Sequence, residues 1–258
     1  LILKMNPAPG ALGQFSDRIF APNQKAVLML LTFLAAIAGT TVEYTDMQGA
    51  RLQEGDACYS ISAGNTRIGT TRQTITASDE GGVPVWDIVV HQSAGGGAFD
   101  MRDHFVLARD SMLPVRMESA RGRERSERGW HRVRVTYANN RIQGTKETAD
   151  GVTTLDEPLS APVWDGNLWG ATFAALPLAE GGSYAIPFWQ YDKGFGTFTV
   201  RVIGSEDVDT PDGPMSAWIV EAGDRPEALL RYQIAKDPRK ELGYRSDRGA
   251  QQIDGACQ

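Results

Sequence analysis

Along most of the chain, apolar and polar residues alternate with a period of two. His131, Val133, Val135 and Tyr137 share one phase, and Arg132 and Arg134 take the other. Val115 and Met117 likewise oppose Arg116 and Glu118. A strand with one buried and one wet face produces this pattern. The segments 57–63, 66–77, 85–93, 99–109, 112–120, 130–138 and 141–148 therefore read as strands. So do 183–191, 196–208, 215–223, 228–235 and 240–247. Turn residues separate them: Gly64-Asn65, Ser93 to Gly97, Asp110-Ser111, Asn139-Asn140 and Pro211-Asp212-Gly213. The expected class is mainly β, an antiparallel sheet of about 10–11 strands.

Two stretches break the period. Residues 148–162 carry the weakest pattern and predict a linker or long loop. Within 164–178, Leu168, Trp169, Thr172, Phe173 and Leu176 fall on one face at helical spacing, which predicts a short helix over 167–176. Asp165 or Asn167 is the expected N-cap, and Pro177 with Gly181-Gly182 the stop.

The N-terminal part has a different character. Residues 26–38, AVLMLLTFLAAIA, are uncharged and too short for a spanning helix. Preceded by Lys25 and closed by Ala36-Ile37-Ala38, they read as a secretory h-region with a cut after Ala38. The expected organisation is a leader over 1–38 and one domain over 39–258. No Cys follows the cut, so a soluble periplasmic or secreted protein without a lipid anchor, and without a transmembrane span, is expected.

Composition adds three points. The net charge of −6 becomes −8 once Lys4, Arg18, Lys25 and Asp17 leave with the leader, a net +2. An acidic chain argues against nucleic acid as a partner. The two cysteines, Cys58 and Cys257, are too few for a disulfide scaffold or a four-Cys zinc site. In an oxidising compartment they form either one long-range bridge or a buried thiol and a free one near the C-terminus. Finally, seven arginines gather in 116–134 against three glutamates. Arg121, Arg123, Arg125 and Arg128 at its tip offer a contact for an envelope protein or an anionic surface, or else form a solvated hairpin with cross-strand pairs.

The order of segments carries a resemblance. It lies in YSISAGNTRIGTTRQTI, SMLPVRMES, ATFAALPLAEGGSYAIPFW, TVRVIGSEDVDTPDGPMSAWIVE and LLRYQIAKDPRKELGYRS. The most specific pieces run from Leu176 to Tyr184 and from Glu206 to Trp218. Over roughly 57–247 the chain resembles a bacterial exported family of unknown function, related to the periplasmic carriers of outer-membrane lipoproteins. The resemblance implies a strongly curved half-barrel wrapped around one or more short helices. Its concave face would hold a lipid-like or other apolar ligand, and no catalytic residues carry over. Trp169, Phe173, Leu176, Trp189, Trp218 and Tyr232 are then the ligand-lining candidates, against the simpler reading that such aromatics fill a core. His131, in phase with Val133 and Tyr137, stands either as a core histidine or at the lip of the pocket.

Catalytic signals are sparse. The chain has no G-x-S-x-G elbow, no P-loop, no dinucleotide fingerprint and no C-x-x-C. His91, His104 and His131 could each orient a serine, but spacing selects no triad. A metal at Asp100, Asp103, His104, His91 and His131 is opposed by strand phase, which sends Asp103 and His104 to opposite faces. Asp87, Asp103 and Asp165 are candidates for paired carboxylates in glycoside hydrolysis only because they lie among apolar residues, and Asp165 is more simply an N-cap. The expectation is a monomeric binding protein without a cofactor. The alternatives are a hydrolase with a cryptic His/Asp/Ser site on the same scaffold, and an interaction module using the arginine hairpin.

Overall fold

The computed structural model describes residues 40–255 and Cys257. The h-region and the expected cut after Ala38 lie outside the described residues. Sixteen strands form one sheet. In chain order they are β1 (Thr40–Thr41), β2 (Gly55–Ala63), β3 (Thr66–Glu80), β4 (Val83–Ala94), β5 (Phe99–Ala108), β6 (Pro114–Arg121), β7 (His131–Ala138) and β8 (Arg141–Thr148). There follow β9 (Gly151–Pro158), β10 (Trp164–Asp165), β11 (Ser183–Gln190), β12 (Gly194–Thr210), β13 (Gly213–Gly223), β14 (Leu230–Ala235), β15 (Glu241–Ser246) and β16 (Gly249–Ile253).

The topology is two antiparallel meanders joined out of chain order. Strands β2 to β9 form one and β11 to β16 the other, and β16 pairs with β2. The sheet is mixed, because β1 and β10 both lie parallel to β11. Among the described residues it is not closed by hydrogen bonds, since there β9 pairs only with β8. Two-residue connections set the register. Asn139 and Asn140 both have positive φ, 53° and 54°, which matches the twist of the strands they join.

Most predicted strands are present within a few residues. The strand count exceeds expectation because β9, β16 and the two-residue strands carry little alternation. Residues 151–158, expected as linker or loop, form β9: edge strands need only one neighbour and no buried face. The helix α1 is shorter than predicted, Gly170–Ala174, and has no side-chain cap. Asp165 instead accepts hydrogen bonds from the backbone and side-chain nitrogens of Asn167, forming a turn ahead of the helix. Among the described residues, no helix is long and apolar enough to cross a membrane.

One face of the sheet carries the main core. Trp86, Ile88, Phe105, Met117, Val135 and Ile142 come from the first meander; Ile186, Phe188, Val200, Val220, Tyr232 and Ile234 come from the second. The α1 segment fills the space over them, with Phe173, Ala174, Ala175 and Leu176 fully buried. Gly170 is required here: the Glu241 carboxylate occupies the place where a Cβ would stand. On the other face Val208, Ala217, Ala235 and Leu242 make a small second cluster.

Candidate functional site

The helix-bearing face divides into an apolar bed and a polar corner. The bed is aromatic. Trp169 stacks on Phe198 with ring centroids 3.5 Å apart and meets Phe188 edge-on at 5.2 Å. Phe173 meets Tyr232 edge-on at 4.9 Å. Phe173, Leu176, Trp189 and Tyr232 are buried, and Trp169 and Trp218 partly so. All six belong to or pack against the main core cluster; Phe173 lies in α1 and Trp169 immediately precedes it. Lys146 and Lys236 each cover an aromatic face: the Lys236 ammonium lies 4.0 Å over Trp218 and that of Lys146 5.4 Å over Tyr191.

The polar corner is built by register. Asp103 on β5 pairs with Ser119 on β6, and Ser119 with Val133 on β7. The side chains of Asp103, Ser119 and His131 therefore share one face. Ser119 Oγ lies 3.1 Å from His131 Nε2, and the Tyr191 hydroxyl approaches the same nitrogen at 3.4 Å. His131 Nδ1 donates to the Gly129 carbonyl at 3.1 Å, which leaves Nε2 as an acceptor on the neutral ring. Burial holds the His131 pKa below its ordinary value, against the opposing pull of that carbonyl. Burial raises Asp103 to about 6, opposed by a hydrogen bond from Ser119 and reinforced by the charge of Asp165. Asp103 Oδ1 has no hydrogen-bond partner.

A second polar pair continues the corner. The Tyr137 hydroxyl donates to Asp165 Oδ2 at 2.9 Å, and the Tyr137 ring meets Trp189 edge-on at 6.2 Å. Burial raises the pKa of both Asp165 and Tyr137. These contacts join β7 to β10 and to the end of β11. In the sheet, β11 and β7 lie eleven places apart.

The remaining candidates sit elsewhere. His91 pairs with Asp100 at 3.1 Å, and His104 with Asp87 at 3.0 Å, apart from the corner. Among the described residues, no group of three or more His, Cys, Asp or Glu is placed to hold a metal ion. Asp165 is bound to Tyr137 and Asn167, and Asp87 to His104; Asp103 and Asp165 are close enough for the charge of Asp165 to raise Asp103. In the arginine hairpin, Arg121 stacks over Phe99 at 4.7 Å, while Arg125 and Arg132 lie over Trp130 at 5.5 and 4.9 Å. Arg123 pairs with Asp100 at 3.6 Å and Arg125 with Glu147 at 3.2 Å. Arg128 is exposed. Cys58, on β2, and Cys257, just beyond β16, are bonded to each other with Cα atoms 5.2 Å apart.

Sequence reasoning singled out His131 but not Ser119 or Tyr191. Ser119 was within reach, because it shares the phase of Met117 on β6. Tyr191 was not, because it follows β11 and meets β7 only through the arrangement of the whole sheet.

No curated protein and no solved structure matches the chain. A family profile does match, over residues 58–248, which run from within β2 to the end of β15 and include the polar corner. The chain belongs to the family described as Protein of unknown function (DUF3108).

Proposed function

We propose that this chain is an exported, non-enzymatic binding protein. It holds a lipid-like ligand against the helix-bearing face of a sheet curved into a half-barrel. The observation that carries the reading is the contact between β7 and the β10–β11 end. Eleven strand spacings of about 4.8 Å amount to roughly 50 Å along the sheet. Yet Tyr191 and His131 lie within 3.4 Å and Tyr137 and Asp165 within 2.9 Å. The meeting of strands so far apart in the sheet order supports a sheet curved around the aromatic bed. The α1 segment then occupies the place an acyl chain would take and leaves when the ligand enters. The contact of β7 with the β10–β11 end, made through side chains, is the side that would open. The likeness in segment order to an exported family related to the periplasmic lipoprotein carriers, the h-region at 26–38 and the Cys58–Cys257 bond fit a periplasmic or secreted location.

The test is native mass spectrometry of the purified protein, together with displacement of a fluorescent fatty acid. Co-purified lipid or saturable displacement is the expected result. Absence of both overturns the reading.

One observation favours a second reading, a serine hydrolase. Ser119 Oγ stands 3.1 Å from a neutral imidazole whose other nitrogen is held by Gly129, the arrangement in which a histidine accepts a seryl proton. Ser119 is 2% exposed, so this reading also needs α1 or that contact to open. Labelling of Ser119 by a fluorophosphonate, abolished by His131→Ala, is the expected outcome; an unlabelled protein that has been shown to bind lipid rejects it.

A further inference from the structure

Four neighbouring strands set one row of side chains across the helix-bearing face. Asp103 on β5 pairs with Ser119 on β6, Ser119 with Val133 on β7, and Val133 with Lys146 on β8. Directly opposed residues of paired strands share a face. Val133 belongs to the main core, so the row lies on the side of the aromatic bed. His131 stands two residues from Val133 on the same strand and therefore on the same face.

This corner is short of hydrogen-bond donors. His131 Nδ1 donates to the Gly129 carbonyl, so Nε2 of the neutral ring only accepts. Asp103 is 5% exposed, and its Oδ1 is buried without a hydrogen-bond partner. The donors beside them are the hydroxyls of Ser119 and Tyr191, with one proton each. Both already lie against Nε2, at 3.1 Å and 3.4 Å. A carboxylate oxygen buried without a donor forfeits its hydration and gains nothing in return. A core built only for packing does not need an aspartate at this place, since an apolar side chain fills it at no such cost.

Tyr191 is the movable cover. It follows β11 directly, and its bond to His131 is long for a hydroxyl donor. It also belongs to the contact between β7 and the β10–β11 end. When that contact opens, Nε2 loses one donor and the row from Asp103 to Lys146 is uncovered. The ends of the row differ in charge. The Lys146 ammonium, 5.4 Å over the Tyr191 ring, is three strand spacings from Asp103, roughly 14 Å along the sheet. A carboxylate seated beside Asp103 meets a like charge there, with the cation at the far end. A donor seated beside Asp103 meets an acceptor.

We propose that the ligand of this face carries a head group that donates hydrogen bonds, and that Asp103 Oδ1 and His131 Nε2 receive it in place of the Tyr191 hydroxyl. The hydroxyls of a monoacylglycerol and the ammonium of an alkylamine both have this chemistry; a free fatty acid, ionised, does not. The inference rests on the lipid-binding reading and narrows it: the aromatic bed takes the apolar chain, and the corner selects the head.

The test uses the full chain at pH 8 and displacement of a neutral apolar fluorophore, N-phenylnaphthylamine. The competitors share one tail and differ in the head: monododecanoylglycerol, dodecylamine, dodecanoate and methyl dodecanoate, each below its micellar concentration. The glycerol ester or the amine should displace the probe at least about tenfold more tightly than dodecanoate or the methyl ester, the effect of one hydrogen bond to a buried carboxylate. Whichever of the two leads identifies a hydroxyl or an ammonium site. Asp103→Leu replaces the unpaired carboxylate by an apolar group of similar size, so it should fold and still bind, with the preference lost. The comparison of heads on the parent protein stands without that variant. Equal displacement by all four, a lead for dodecanoate or its methyl ester, or a preference that survives Asp103→Leu overturns this inference and leaves the lipid-binding reading standing. Displacement by none of the four overturns that reading, and this inference with it.

Discussion

Two seams hold this sheet together, and they are built differently. At the first, β16 meets β2 through a backbone ladder from Ala250↔Ser62 to Ile253↔Tyr59. The Asp254 amide extends it to the Cys58 carbonyl, and the Cys58–Cys257 bond closes it. At the second, β7 meets the β10–β11 end through side chains: Tyr137 with Asp165, His131 with Tyr191, and Tyr137 with Trp189. The first seam is covalent and repetitive. The second is a handful of buried titratable groups. A joint of the first kind resists opening, whereas one of the second kind opens at the cost of a few hydrogen bonds. The fold therefore fixes one joint between its meanders and leaves the other conditional.

The largest expected effect comes from breaking the first seam. Cys58 and Cys257 are 199 residues apart in sequence. On the chain-entropy account, closing so long a loop stabilises by up to about 5 kcal/mol. Replacing both with serine should lower the urea midpoint by the equivalent of about 2–5 kcal/mol. The ladder still pairs β16 with β2, so the lipid affinity expected of the protein should not change. A midpoint unaffected by reductant or by the double substitution would place the strength of this seam in the ladder alone.

Protonation is the lever on the second seam. Asp103 titrates near 6 when folded, above its ordinary 3.8. The folded state binds this proton more tightly than the unfolded one, so the contribution of Asp103 to stability is fully present below pH 3.8 and is lost as pH rises through 6. The span corresponds to about 3 kcal/mol. Glu241, held near 7 by burial, acts in the same direction between its ordinary 4.5 and 7. His131 opposes both: its lowered pKa makes the protein lose stability as pH falls below about 6.5. Asp103→Asn should therefore stabilise the protein at pH 8 and leave the fall between pH 4 and 6 visibly shallower. Denaturation curves across that range check this. An unchanged slope would mean that Asp103 ionises freely in the folded chain.

A smaller effect is expected at Tyr137. Tyr137→Phe keeps the ring against Trp189 but removes the donor from the buried Asp165. The cost should be about 1–3 kcal/mol, and amides of β7 and β8 should exchange faster while those of β2 and β16 do not. Uniform acceleration across both seams would show that they open as one unit.

The two seams also differ in what the sequence disclosed. The strands flanking each were legible, because alternation as in His131–Tyr137 requires a half-buried strand. β16 was not: the apolar residues of GAQQI, Ala250 and Ile253, do not alternate, and Gln251 meets Thr71 through a polar contact that a hydrophobic pattern does not record. β9 escaped for the same reason, as a polar edge strand. The corner was half legible. Strand phase put His131 inward, and the same rule applied to Met117 reaches Ser119. Pairing Asp103 with Ser119 required the register of β5 on β6. Bringing Tyr191 to His131 required the course of the sheet over eleven strands, which local patterning does not contain.

The smallest expected effect tests how the conditional seam is tuned from its rim. Arg132 donates to the carbonyls of Arg121, Gly122 and His131 at 2.7–2.8 Å and stacks on Trp130 at 4.9 Å. It thereby fixes the turn that presents the Gly129 carbonyl to His131 Nδ1. Lysine keeps the charge but lacks the planar fork, so Arg132→Lys should cost only about 1 kcal/mol. The informative readout is the tautomer. In the parent protein, ¹⁵N chemical shifts should report a neutral ring protonated at Nδ1, with Nε2 accepting from Ser119 or Tyr191. In the variant the Nε2–H form should gain population as the Gly129 carbonyl drifts. A ring that keeps its tautomer in Arg132→Lys would show that Ser119 and Tyr191, rather than the hairpin, set the state of this seam.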